Sequence, residues 1–140
     1  SPRVPALFHE IAGRPAFYDL DPRAVVWHGH YVKFFELART ALMQRFNYDY
    51  EQMRESGYFW PVVDLRVKFV RPATLHQPLK GRAEITEFES RLRVDYVITS
   101  GISGEKVTKG HTLQVAVDAK TMELQYVCPK ILWERLGVSP

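Results

Sequence analysis

The chain has 140 residues, of which 46% are apolar and 25% charged, with a net charge of +3 at neutral pH. That length gives one domain, 1–140, large enough for a core without metal or disulfide staples. A lone cysteine, Cys128, excludes an internal disulfide and a zinc knuckle, and no apolar run reaches membrane-spanning length.

Residues 1–8 are Pro-rich and are expected to be mobile, and they lack the apolar core of a signal peptide. The stretch from Glu10 to Tyr18 is a weak strand, interrupted by Gly13 and Pro15. Tyr31, Phe34, Phe35, Ala38, Ala41, Leu42 and Phe46 recur near 3.6-residue spacing, which predicts a long buried helix over His30 to Phe46. Tyr50 to Ser56 is a second short helical turn ended at Gly57.

Strands follow. Val62 to Val70 alternates, with Val63, Leu65, Val67 and Phe69 on one face and Asp64, Arg66 and Lys68 on the other. Leu79 to Phe88 is the next, with a bulge expected at Gly81. Arg91 to Ser100 places Leu92, Val94, Tyr96 and Ile98 on one face. Lys106 to Asp118 is a further strand, with Val107, Leu113, Val115 and Val117 as its apolar positions. A short strand is expected around Leu124 to Val127, then a small helix from Pro129 to Leu136 with Gly137 past its end. One helix followed by a run of strands implies an α+β fold with a meandering antiparallel sheet, and its open edge invites dimerisation.

The segment before the long helix carries the chemistry. Asp19-Leu20-Asp21 precedes Pro22, an apolar run follows, and His28 stands where the helix begins. A carboxylate, an imidazole and a helix N-terminus are the parts needed to add water to a polarised carbonyl. His28 and His30 do not face one way on a helix and have no third ligand nearby, so no metal is expected. The serines lack a nucleophile-elbow context, and no nucleic-acid motif accompanies the basic balance.

Asp19-x-Asp21, Val25-Val26-Trp27, His28, Tyr31 and the helical run Phe34-Phe35-Glu36-Leu37-Ala38-Arg39 together resemble the hotdog-fold acyl-CoA thioesterases, in the 4-hydroxybenzoyl-CoA thioesterase-like branch. Phe69-Val70-Arg71-Pro72-Ala73 and Val115-Ala116-Val117-Asp118 resemble that branch's strands, and the likeness spans about residues 16 to 136. Where the family carries a glycine after the second Asp, this turn is Pro22-Arg23-Ala24.

The resemblance implies a hotdog fold, an antiparallel sheet wrapped around one long central helix. It implies a cytoplasmic homodimer or homotetramer that hydrolyses acyl-CoA, with coenzyme A as part of the substrate and no other cofactor. Asp21 takes the catalytic position, either as general base on water or as the attacking group. His28 orients water or bonds the thioester oxygen, and the N–H groups near Gly29 hold the oxyanion. Arg91 and Arg93 are the candidate contacts to CoA phosphates, and Trp27, Tyr31 and Trp60 candidate walls of the acyl pocket. The same fold could also serve a non-hydrolytic protein that binds an acyl thioester or acyl carrier.

Overall fold

The computed structural model describes residues 6–13, 29–71 and 77–140. In chain order the elements are β1 (Phe8–Gly13), α1 (Gly29–Arg45), α2 (Tyr50–Glu55), β2 (Tyr58–Phe59), β3 (Val62–Phe69), β4 (Leu79–Glu87), β5 (Leu92–Ser100), β6 (Lys106–Gln114), β7 (Val117–Asp118) and α3 (Lys130–Leu136). Five strands form one antiparallel sheet in the order β1-β4-β5-β6-β3. β2 and β7 pair separately as a small ribbon. This is the hotdog arrangement, α1 being the helix around which the sheet wraps.

α1 buries Tyr31, Phe35, Ala38 and Leu42, one helical stripe at steps of four, three and four. Burying a side chain such as Leu42 stabilises the fold by roughly 1.5–3 kcal/mol. The helix lies chiefly over β1 and β4. Phe35 stacks on Tyr96 of β5, with ring centroids 4.5 Å apart. Arg45, in the last turn, suits the negative end of the helix dipole and donates to the Phe8 carbonyl.

α2 starts at Asp49, whose backbone N–H donates to the Gln52 side chain three residues on, at 3.1 Å. α3 ends at Gly137, whose φ of 71° is the left-handed cap that glycine adopts without a Cβ clash.

Several expectations change. β1 lies at Phe8–Gly13, earlier than the strand expected over Glu10 to Tyr18, and Leu7 before it is buried. The bulge in β4 falls between Ile85 and Glu87, not at Gly81. Gly81 instead admits the Phe34 ring, which a Cβ there would meet at 2.3 Å. The strand expected to run through Asp118 stops at Gln114, and β7 forms after a break at Val115-Ala116. Around Leu124 there is an isolated bridge to Val117 rather than a strand.

β6 buries Val107 and Leu113, as its apolar positions suggest, and polar residues besides. Register places Thr108, Gly110, Thr112 and Gln114 beside Ile98, Tyr96, Val94 and Leu92, so its small and polar residues face inward. Thr112 satisfies its hydroxyl against Tyr96 Oη at 2.8 Å.

β3 occupies one edge of the described sheet. Val63, Leu65 and Phe69 are about half exposed on it, because α1 sits toward the opposite edge.

Candidate active site

The described part of the site begins at the start of α1. No acidic residue occupies the first turn of this 17-residue helix, whose N-terminus carries the positive end of the dipole. Tyr31 fixes that end in place: it is 3% exposed, and its ring lies 5.6 Å from that of Phe69 at the end of β3. Asp19, Asp21, Trp27 and His28 lie outside the described residues. Gly29 is the first residue of the helix.

A cavity of about 560 Å³ opens at the other end of β3. Its walls come from the second half of α1 (Arg39, Thr40, Met43), from α2 (Met53), from Tyr58 to Val62 and from Gln114 and Met122. All three methionines of the chain therefore meet at one cavity, although they stand far apart in sequence.

Trp60 forms the back wall. It is 7% exposed, so it belongs to the core as well as to the cavity, where the sequence marks it only as a pocket aromatic. Its Nε1–H donates to Tyr48 Oη at 3.1 Å, and the two rings meet edge to face at 6.2 Å. Tyr48 Oη also lies 2.9 Å from Ser56 Oγ, and burial pushes the Tyr48 phenol above its usual pKa. Gln114 Nε2 donates to the Trp60 carbonyl at 2.8 Å, holding the chain where it leaves β2 for β3. The side-chain oxygen Oε1 of Gln114 is buried without a hydrogen-bond partner among the described residues.

Met43, Met53, Gln114 and Met122 were not anticipated. No periodicity joins positions drawn from α1, α2, β6 and a turn, so only the tertiary fold assembles them.

The two candidate phosphate arginines sit elsewhere. Arg93 makes a bidentate contact with Asp95, at 3.1 Å for each bond, on the outer face of the sheet. Burial alone would raise the Asp95 pKa, but hydrogen bonds from Arg93 and Thr86 outweigh it and hold the carboxyl below its usual range. Arg91 pairs with Glu87 at 3.1 Å across an exposed surface, an arrangement that is readily exchanged. Neither arginine lines the methionine cavity.

Cys128 is buried, and desolvation pushes its thiol up to about 12, so it is a packed, protonated side chain at neutral pH. Among the described residues no group of three or more His, Cys, Asp or Glu could hold a metal ion. No described helix is long and apolar enough to cross a membrane.

Residues 15–132 match the family model of the thioesterase-like superfamily. A Bacillus subtilis protein provisionally named as the acyl-CoA thioesterase YneP is 30% identical over 107 residues, covering 76% of this chain and 78% of that protein. The acyl-CoA thioester hydrolase YbgC of Escherichia coli is 26% identical, over 79% of this chain and 82% of its own length. Among solved structures, a 1,4-dihydroxy-2-naphthoyl-CoA thioesterase from Synechocystis superposes with a TM-score of 0.82 at 17% identity, covering 93% of this chain and 96% of that one. A 4-hydroxybenzoyl-CoA thioesterase variant complexed with 4-hydroxybenzoyl-CoA gives 0.80 at 18% identity, covering 94% and 99%. At those identities the two structures establish the shared fold.

Proposed function

This chain belongs to the thioesterase-like superfamily and is a thioesterase; from that premise we propose that it hydrolyses acyl-CoA with the Asp21 carboxylate and the N-terminus of α1. The observation that supports this reading is the helix start itself: α1 begins at Gly29 with no acidic residue in its first turn, and Asp21 to His28 immediately precede it in the sequence.

Asp21 takes a proton from water as the oxygen attacks the thioester carbonyl. The carbonyl oxygen becomes an oxyanion, which the backbone N–H groups around Gly29 stabilise. The C–S bond then breaks, the thiolate of coenzyme A leaves, and the proton on Asp21 passes to that sulfur. In the alternative route Asp21 attacks the carbonyl directly, expels the thiolate and forms a mixed anhydride that water hydrolyses. His28, as neutral imidazole, orients the water in either route. Arg91 contacts the CoA phosphates by exchanging its partner Glu87, while Arg93 remains engaged by Asp95.

The proposed assembly is a homodimer formed through β3. A half-exposed apolar face on a strand at the edge of the described sheet is costly for a lone chain, and packing against a second copy covers it.

The test is thiol release from short, long and aromatic acyl-CoAs, with Asp21→Asn alongside. Removing a general base of this kind lowers kcat by about a hundredfold or more, with the substrate still bound. Undiminished turnover in the variant would remove Asp21 from the mechanism. Tight binding of every ester without turnover by the wild type would favour the binding protein instead.

A further inference from the structure

The outer face of the sheet sorts its charges by sign. Phe35 of α1 stacks on Tyr96, so Asp95 and Val97, on either side of it in β5, face away from the helix. Register sets Glu10, Arg82, Val97, Lys109 and Lys68 in one row across that outer face, from β1 to β3. The next row is Phe8, Glu84, Asp95, His111 and Arg66. On the β1–β4–β5 side the charges are paired. Arg82 lies 3.6 Å from Glu10 and 3.7 Å from Glu84, and Asp95 holds Arg93 at 3.1 Å. On the β6–β3 side the balance fails. Lys68 stands directly opposite Lys109, and neither forms an ion pair among the described residues. The carboxylate that this side does carry, Asp64, is shared between Arg66 at 3.9 Å and His111 at 4.0 Å. Like charges directly opposite one another weaken strand pairing. A local rule broken on an exposed face, where no packing demands it, marks a place that serves something other than the fold.

We propose that this side of the outer face binds a small diphosphate, free or carried on a nucleoside, at a site separate from the start of α1. The unpaired cations border a concavity of about 490 Å³, together with His111 and the Arg93–Asp95 pair. Arg93 spends its charge on Asp95, which leaves Lys68, Lys109 and Arg66, all exposed, to meet a ligand. Alternate residues of a strand lie about 7 Å apart and neighbouring strands about 5 Å. Lys68, Lys109, Arg66 and His111 therefore stand at the corners of a small rectangle that two linked phosphates can span. The two lysines donate to one phosphate and Arg66 to the other, in charge-assisted bonds. A bilayer or a duplex would lie across the whole face and meet Glu10, Glu84 and Asp95 as well, whereas a bounded small anion meets only the cationic side. Leu65 and Phe69 alternate with Arg66 and Lys68 along β3, so they project from its other side and the site stands whatever covers them.

The probes are inorganic pyrophosphate and ADP, measured by calorimetry at about 0.15 M salt, where exposed charges more than about 8 Å apart are largely screened. Both should bind wild type saturably. Lys68→Ala/Lys109→Ala should weaken both by at least about tenfold through the loss of charge-assisted bonds. Lys80→Ala/Arg82→Ala removes the same charge from β4, two to three strands away, about 10–14 Å. That second variant should change the affinity by less than about threefold. Pyrophosphate should also raise the melting temperature of wild type and leave that of Lys68→Ala/Lys109→Ala unmoved. No pyrophosphate binding at that salt, or equal weakening in the two double variants, would overturn the proposal, the second by reducing the attraction to net charge. A rise in KM for acyl-CoA in Lys68→Ala/Lys109→Ala that matches its loss of ADP affinity would overturn it too, by giving this face to the substrate's own diphosphate. The binding readouts need no turnover, so an absence of thiol release would count against the thioesterase reading alone.

Discussion

Tyr48 shows how single hydrogen bonds shape the cavity. Its hydroxyl accepts from Trp60 Nε1 and pairs with Ser56, in a setting that burial makes poor in water. Tyr48→Phe keeps the ring and removes both contacts, leaving the buried indole N–H without an acceptor. The expected cost is about 1–3 kcal/mol, read as a lower midpoint in urea unfolding with the m-value unchanged. A variant as stable as wild type would mean that the indole finds another acceptor. The Asp95 carboxyl illustrates the electrostatic side. Because its folded pKa is lowered, its contribution to stability is present above the unfolded value of about 3.9 and is lost as pH falls through the folded pKa. Arg93 therefore acts on the acid limit of the fold, a role distinct from the phosphate contact its sequence position suggests.

At the level of elements, β6 is decisive. Gly110 lies opposite Tyr96 on one side and Val67 on the other, and a Cβ there would stand 2.1 Å from the Arg66 carbonyl oxygen and 2.8 Å from the Phe35 ring. The first of these is backbone, which cannot rotate aside. Gly110→Ala should therefore push β3 away from β6, destabilise the fold by more than about 2 kcal/mol, and speed amide exchange along β3 before β4 and β5. Uniform exchange behaviour would show that the strand shifts as a unit. β5 was fully legible from sequence: Leu92, Val94, Tyr96 and Ile98 alternate, and all four are buried. α1 was legible for the same reason, its stripe being wide and regular. β6 was legible only in part: Val107 and Leu113 are buried as their apolar character suggests, but Thr108, Thr112 and Gln114 are buried too, and no apolar pattern marks them. Hydrophobic pattern reports burial only where the core is apolar, and here it meets a ring of hydroxyls and an aromatic stack instead. The site divides likewise. Tyr31 at the helix start follows from contiguous residues, whereas the cavity draws on positions from Arg39 to Met122 and no local pattern holds them together.

At the scale of the whole molecule, the proposed dimer covers the half-exposed apolar face of β3. Leu65→Lys puts a charge on that face and should shift the protein toward monomer in analytical ultracentrifugation. A variant that associates as tightly as wild type would place the contact elsewhere. The gathering of every methionine at that cavity has one more consequence. Oxidation turns a flexible thioether into a polar, chiral sulfoxide, and Met122, at 65% exposure, stands outermost among the three. An oxidant would thus act on Met122 at the cavity rim ahead of the buried sheet, placing a polar oxygen on an otherwise apolar wall while the core stays packed.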